Sequence, residues 1–176
     1  MTFLHRLAAD LSPQSGSVIA GYAMECLDLP GRVGGRYSGP HSALDMVGHI
    51  LYVYQRIYGA TLSEPNQVEL RPQARAEHEW LTGWLAGFCS PLPVPAAQAG
   101  DIIVFRTSPD ATINHAAFKV SENVICHSYV SPYMTAPFLS TSPVTESWLN
   151  PHWAKYIAGA FRIDTAKAQN TQDIAA

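Results

Sequence analysis

Apolar residues recur at three- and four-residue steps through the first half of the chain, which predicts helices. The segments "FLHRLAADL" and "SGSVIAGYAMECLDL" predict two short helices, with Ser15 or Ser17 available to cap the second. A loop follows in "PGRVGGRYSGP", which holds four glycines and two prolines. A third helix is predicted from about Ala43 to Tyr58, ended by Gly59, and a fourth in "ARAEHEWLTGWLAGF".

The second half of the chain changes to the pattern of short β-strands. The runs "DIIVFR", "HAAFKVS", "NVICHSYV" and "YIAGAFRI" are rich in β-forming residues and are separated by turn residues. Helices followed by strands predict an α+β fold, with the helices packed on an antiparallel sheet of about four to six strands. We expect one domain over residues 1–164 and a polar, flexible tail over residues 165–176.

Composition narrows the possible functions. Hydrophobic residues make up 47% of the chain and charged residues 14%, which is typical of a globular domain. The net charge is −3 with no block of like charges, so we expect no nucleic-acid partner. No apolar run is long enough to span a bilayer, and "MTFLHRLAADLSPQ" lacks the features of a signal peptide. The expectation is therefore synthesis in the cytoplasm, without membrane insertion.

Two histidines in neighbouring predicted strands are the main candidates for chemistry. His115 begins one run and His127 lies within the next, so their side chains can meet on one face of a sheet. The loop into the third helix can bring Asp45 and Met46 toward them. A helix N-terminus lowers the pKa of a thiol, and an adjacent histidine can take its proton. The layout suits a cysteine nucleophile, yet the residue present is Met46.

The ordered set of motifs resembles the NlpC-type cell-wall peptidases, a papain-like group of cysteine hydrolases, over about Val18 to Ile163. That family has a Gly-Gly loop followed by an Asp-Cys-Ser-Gly motif at the start of its central helix. Gly34 and Gly35 match the loop, and "DMVG" stands at the motif. Further along, "AGDIIVFR", "NHAAFKV", "NVICHSYV" and "YIAGAFRI" match the family's strands in order.

The resemblance implies a papain-like fold and assigns roles to individual residues. It places Met46 at the nucleophile position, His115 at the general base and His127 at the residue that orients the base. It places Asp45, Val47 and Gly48 beside the substrate, although Asp45 is also the expected helix cap. The family's cysteine and serine are replaced here, and the aromatic residue usual before the Gly-Gly pair is missing near Gly31 or Arg32.

These substitutions predict a domain that has kept the fold and lost the peptidase reaction. A thioether has no acidic proton and cannot form a thioester, so Met46 cannot act as the nucleophile. We expect a module that binds a peptidoglycan stem peptide or a protein partner, for example in a phage tail or a similar delivery assembly. No cofactor is expected.

An active amidase or endopeptidase on γ-D-glutamyl–diaminopimelate-type bonds, with a displaced nucleophile, is the alternative. Its candidate thiols are Cys26, Cys89 and Cys126. Their odd number and irregular spacing argue against a disulfide framework. A toxin or effector acting on another acyl substrate is a third possibility, which no residue favours.

Other histidines and the tryptophans have simpler interpretations. His41 and His49 are expected on the surface of the loop and the helix. Zinc binding by these two with Cys126 and His127 fits no common ligand spacing, so we expect no metal. The tryptophans are expected in the core or along a groove; they are Trp80, Trp84, Trp148 and Trp153.

Overall fold

The computed structural model describes residues 15–31, 34–39, 43–59, 61–65, 79–107, 112–128, 145–148 and 151–167. Its helices are α1 (Gly16–Met24), α2 (Met46–Tyr58), α3 (Trp80–Ala86) and α4 (Pro151–Ala154), with a 3₁₀ turn at Val94–Ala96. Its strands are β1 (Cys89–Leu92), β2 (Ile102–Phe105), β3 (His115–Lys119), β4 (Val124–His127), β5 (Thr145–Trp148) and β6 (Ile157–Ile163).

The strands form one antiparallel sheet of six, in the order β1-β6-β2-β3-β4-β5. Helices α1 and α2 pack against each other and against β3. The predicted α+β fold, with helices on an antiparallel sheet, is confirmed. Among the described residues, no helix combines the length and the apolar character needed to cross a bilayer.

The core has two parts because strand side chains alternate between the faces of the sheet. In β2, Ile102 and Val104 belong to a first cluster that includes buried residues of α1 and α2. Ile103 and Phe105 belong to a second cluster on the opposite face. Both faces are buried, so β2 reads as a continuous apolar run rather than an alternating one.

Helix α2 has well-defined signals at both ends. The Asp45 side chain accepts a hydrogen bond from the Gly48 amide at 2.8 Å, which caps the N-terminus as predicted. Gly59 ends the helix with φ of 66°, a conformation that glycine adopts at little cost. The helix starts at Met46 rather than at about Ala43, because Leu44 instead forms a parallel bridge with Gly31.

Two strands differ from the sequence prediction. Strand β1 lies in the proline-rich segment "CSPLPVPAAQAG", for which no strand was predicted, and β5 was not predicted either. Near the start of the predicted tail, Lys167 donates hydrogen bonds from Nζ to the Cys89 and Ala86 carbonyls; the boundary between domain and tail stays a prediction. The predicted helix "FLHRLAADL" and residues 168–176 lie outside the described residues.

Candidate functional site

Asp45 joins the loop to the start of α2. Besides capping Gly48, its carboxylate accepts hydrogen bonds from the Gly34 amide at 2.8 Å and from Arg36 Nη1 at 2.9 Å. Arg36 also pairs with Glu64. The carboxylate therefore fixes where the loop meets the helix, and its role in the structure is architectural.

The three residues that begin α2 differ in exposure. Met46 is half-buried and packs against the first core cluster. Val47 is 2% exposed and lies within that cluster. A Cβ on Gly48 would come within 2.1 Å of the Gly35 carbonyl oxygen, so this glycine permits close packing of loop on helix. Substrate contact by Asp45, Val47 or Gly48 stays a prediction.

The structure brings His115 and His127 together. Strands β3 and β4 are antiparallel neighbours, with Phe118 paired to Cys126. Continuing that register puts His127 diagonal to His115, within reach of an imidazole ring. Nε2 of His115 and Nδ1 of His127 lie 2.8 Å apart, the distance of a hydrogen bond.

Burial keeps this histidine pair neutral. The two residues are 4% and 2% exposed. Desolvation, with added repulsion from His127 and His49, lowers the pKa of His115 well below its usual value. Desolvation likewise lowers the pKa of His127 to about 4. At neutral pH one of these two bonded nitrogens carries the hydrogen and donates the hydrogen bond, and the other accepts the bond.

The pair lies on the face of the sheet that carries the second cluster. The His115 ring is 5.8 Å from that of Phe105, and Trp153 lies within 5.7 Å of His115 and 5.0 Å of His127, measured between ring centroids. The start of α2 is tied to the same end of β4, because Ser128 Oγ donates to the Leu44 carbonyl at 2.7 Å. Convergence of the Met46 side chain with the two imidazoles stays a prediction.

A third buried histidine was missed by the sequence interpretation. His49 was expected on the helix surface but is 2% exposed, because α1 packs over this side of α2. Its Nε2 donates to the Ala23 carbonyl at 3.0 Å, and burial lowers its pKa to about 4. The signal was available, since His49 falls on the same apolar face as Val53. His41 lies outside the described residues.

The cysteines are placed as buried thiols. Burial raises the pKa of Cys26 to about 12 and also raises that of Cys89. Cys126 Sγ donates to the Ala23 carbonyl at 3.4 Å, on the face opposite to His127. Within the described ranges, no three His, Cys, Asp or Glu residues are grouped to hold a metal ion.

Three of the four tryptophans have described side chains. Trp80 is a core residue at 5% exposure. Trp84 is half-buried, packs on Phe88 and donates to the Ser63 carbonyl. Trp153 is half-buried against the histidine pair. Trp148 lies in β5.

Comparison with solved structures identifies the architecture. A protein of the NLP/P60 family from Staphylococcus aureus subsp. aureus Mu50, described as similar to lipoprotein, matches with a TM-score of 0.53 and 21% identity, over 91% of this chain and 46% of that one. An NlpC/P60 family protein from Bacillus cereus ATCC 10987 gives 0.57 and 19%, over 88% of this chain and 42% of that one. The chain has the NlpC/P60 fold.

A third similar structure is a domain on its own. The NlpC/p60 domain of the peptidoglycan hydrolase SagA matches with a TM-score of 0.53 and 17% identity, over 85% of this chain and 98% of that domain. By contrast, this chain covers less than half the length of the S. aureus and B. cereus chains. No family model matches the sequence, and no curated protein does.

Proposed function

We propose that this chain is a catalytically inactive NlpC-like domain that binds a peptidoglycan stem peptide. The observation that carries the proposal is Met46 at the capped start of α2, where the resemblance expects the nucleophile. A thioether offers no proton for His115 to remove. Its acylation would give a sulfonium rather than a thioester, so no acyl-enzyme can form there.

The buried thiols do not favour the alternative of a displaced nucleophile. Thiolate is the reactive form of cysteine, and a raised pKa leaves Cys26 and Cys89 protonated at neutral pH. The Cys126 thiol donates a hydrogen bond to the Ala23 carbonyl of α1. A peptidase reaction through any of them would require a rearrangement of the core.

The similarity of fold to a peptidoglycan hydrolase domain supports the choice of ligand. Fold alone does not fix function, so the ligand is part of the proposal. A place in a phage tail or similar delivery assembly, with a protein as partner, is the proposed setting if the domain acts as a structural module.

The test is to incubate purified protein with a defined muropeptide and to follow both cleavage and binding. We expect measurable binding, no released peptide, and no effect of iodoacetamide. The matched variant is His115→Ala. Cleavage by the wild type that His115→Ala abolishes would mean that another residue serves as nucleophile, and the inactive-domain proposal would be wrong. Absence of both cleavage and binding would leave a structural role.

A further inference from the structure

Trp153 is the partly exposed member of an otherwise buried aromatic group. Its ring lies 5.0 Å from that of His127 at an interplanar angle of 89°, and 5.7 Å from that of His115 at 34°. It also makes an edge contact with Phe105 at 5.3 Å. The indole therefore contacts both imidazoles of the pair and the core residue behind them.

The local backbone fixes the position of this side chain. Trp153 is in α4, which connects β5 to β6, and its carbonyl accepts a hydrogen bond from the Tyr156 amide at 3.0 Å. The Tyr156 carbonyl in turn accepts from the Arg106 amide at 2.8 Å, which ties the turn to the end of β2. An aromatic side chain on a bonded turn loses little conformational entropy when it binds a ligand.

We propose that Trp153 shields the His115–His127 pair from solvent and is itself the side chain that a peptide ligand contacts at this site. The imidazoles are nearly inaccessible, whereas Trp153 retains an exposed part. A ligand that approaches this side of the sheet therefore meets the indole before the histidines. The contact role rests on the proposed binding function; the shielding role does not.

The chemical character of this surface indicates which part of a ligand Trp153 contacts. The indole is apolar over most of its surface and carries a single N–H donor. The imidazoles beneath it are uncharged at neutral pH, because burial depresses the pKa of each. This surface suits an uncharged portion of a peptide, such as a backbone amide or a small apolar side chain, better than a free carboxylate.

Shielding is tested without any ligand, by labelling with diethyl pyrocarbonate, which acylates neutral imidazole nitrogens. Peptide mapping by mass spectrometry gives the rate at each histidine. In Trp153→Ala we expect His115 and His127 to react at least about tenfold faster than in the wild type, since removal of the indole opens the site locally. His49, buried against α1, should stay protected and reports that the fold is intact.

The matched control is Trp84→Ala, which removes an equally large half-buried side chain that packs on Phe88. We expect unchanged labelling of the pair in this variant. Fast labelling of the pair in the wild type, or continued protection in Trp153→Ala, would overturn the shielding role. Equal deprotection by Trp84→Ala would also overturn it, because the effect would then be general loosening.

Ligand contact is tested by calorimetric titration with a defined muropeptide. Trp153→Phe keeps a ring over the imidazoles and should leave them protected from labelling. We expect it to weaken binding by about tenfold, because the smaller ring loses contact area and the N–H donor, while Trp84→Phe leaves affinity unchanged. Unchanged affinity in Trp153→Phe and Trp153→Ala would overturn the contact role alone. No binding by the wild type would refute the proposed function and with it the contact role, while the labelling result would stand.

Discussion

At the scale of single residues, the environment of position 46 is that of a reactive side chain, although its occupant is inert. The first turn of α2 has backbone N–H groups without partners inside the helix, and these favour negative charge. A thiolate would be stabilised there, whereas a thioether gains nothing from the helix dipole. Met46 instead packs against the first core cluster, so it stabilises the fold through apolar contacts.

This difference predicts the reactivity of a thiol placed at position 46. Met46→Cys puts a thiol at the N-terminus of α2, while Met24→Cys puts one at the C-terminus of α1, and both positions are half-buried. Opposite dipole ends should separate the two pKa values by about one unit. We expect Met46→Cys to react with iodoacetamide about tenfold faster at pH 7. Equal rates would show that the helix terminus has no effect there.

The same variant tests whether residue 46 and the imidazole pair converge. If His115 lies within reach of the new thiol, His115→Asn in the Met46→Cys background should slow alkylation near neutral pH. The slowing should shrink at high pH, where the thiol ionises without help. A rate independent of His115 at every pH would contradict the predicted convergence.

Gly48 gives a second prediction for a single residue, this time on stability. Its missing side chain leaves room for the Gly35 carbonyl, which an added Cβ would approach to 2.1 Å. We expect Gly48→Ala to lower the free energy of unfolding by about 2 kcal/mol or more, since the loop or the helix must shift. Gly83→Ala in α3 meets nothing within 4 Å and should raise it by about 0.5–1 kcal/mol. Urea unfolding measures both changes. If the two variants change the free energy of unfolding in the same direction, the close contact between position 48 and the Gly35 carbonyl is contradicted.

At the scale of elements, one carboxylate connects the glycine-rich loop to α2. Asp45→Ala removes the helix cap together with the acceptor for Gly34 and Arg36. We expect a loss of about 2 kcal/mol, of which the cap supplies about half. Asp45→Asn keeps one acceptor oxygen and should lose less. Glu64→Gln, which weakens only a mainly exposed ion pair of Arg36, should change stability by less than about 0.5 kcal/mol.

Urea unfolding of these variants separates the cap from the loop anchor. If Asp45→Asn is as destabilising as Asp45→Ala, the cap contributes little and the loop contacts dominate. If Glu64→Gln is the worst of the three, then Arg36 is held by Glu64 rather than by Asp45.

The elements that the sequence did not predict have weak local signals for physical reasons. Strand β1 contains Pro91, which argues against a strand in the middle of a sheet but is tolerated at an edge, and among the described strands β1 pairs with β6 alone. Strand β5 is the other edge and is four residues long, too short for a period to be evident. Strands β2, β3, β4 and β6 are interior and carried clear apolar runs.

The site was predictable where it depends on order along the chain. His115 and His127 meet because consecutive strands β3 and β4 are antiparallel neighbours. The covering residue, Trp153, was not assigned to the pair, because α4 reaches it only through the fold. A contact between residues far apart in sequence leaves no local pattern.

At the scale of the whole molecule, packing on both faces of the sheet buries three neutral histidines. They come from three elements: His49 from α2, His115 from β3 and His127 from β4. In each case burial lowers the pKa in the folded protein, to about 4 for His49 and His127. The unfolded chain has exposed histidines with ordinary pKa values near 6.5.

Stability should therefore fall as the pH is lowered from about 7 toward 5. Below about pH 6.5 the unfolded chain binds protons at these histidines that the folded chain does not bind until a lower pH, about 4 for His49 and His127, so acid favours unfolding. Each fully buried histidine contributes a slope of roughly 1.4 kcal/mol per pH unit within that window. The paired carboxylates Glu25 and Glu64 have lowered pKa values and add their own loss only below about pH 4.5.

Urea unfolding at half-unit steps from pH 7.5 to 5 measures this slope, and His49→Gln assigns part of it. Glutamine keeps an N–H donor for the Ala23 carbonyl and does not titrate, so the slope should fall by the share of one histidine. Relative to the wild type, the variant should have a slightly lower free energy of unfolding at pH 7.5 and a higher one at pH 5. A wild-type stability that is flat across this range would mean that the histidines take up protons in the folded protein as readily as in the unfolded chain. An unchanged slope in His49→Gln would exclude His49 as the cause and leave His115 and His127, under Trp153, as the buried histidines of the described residues that can supply it.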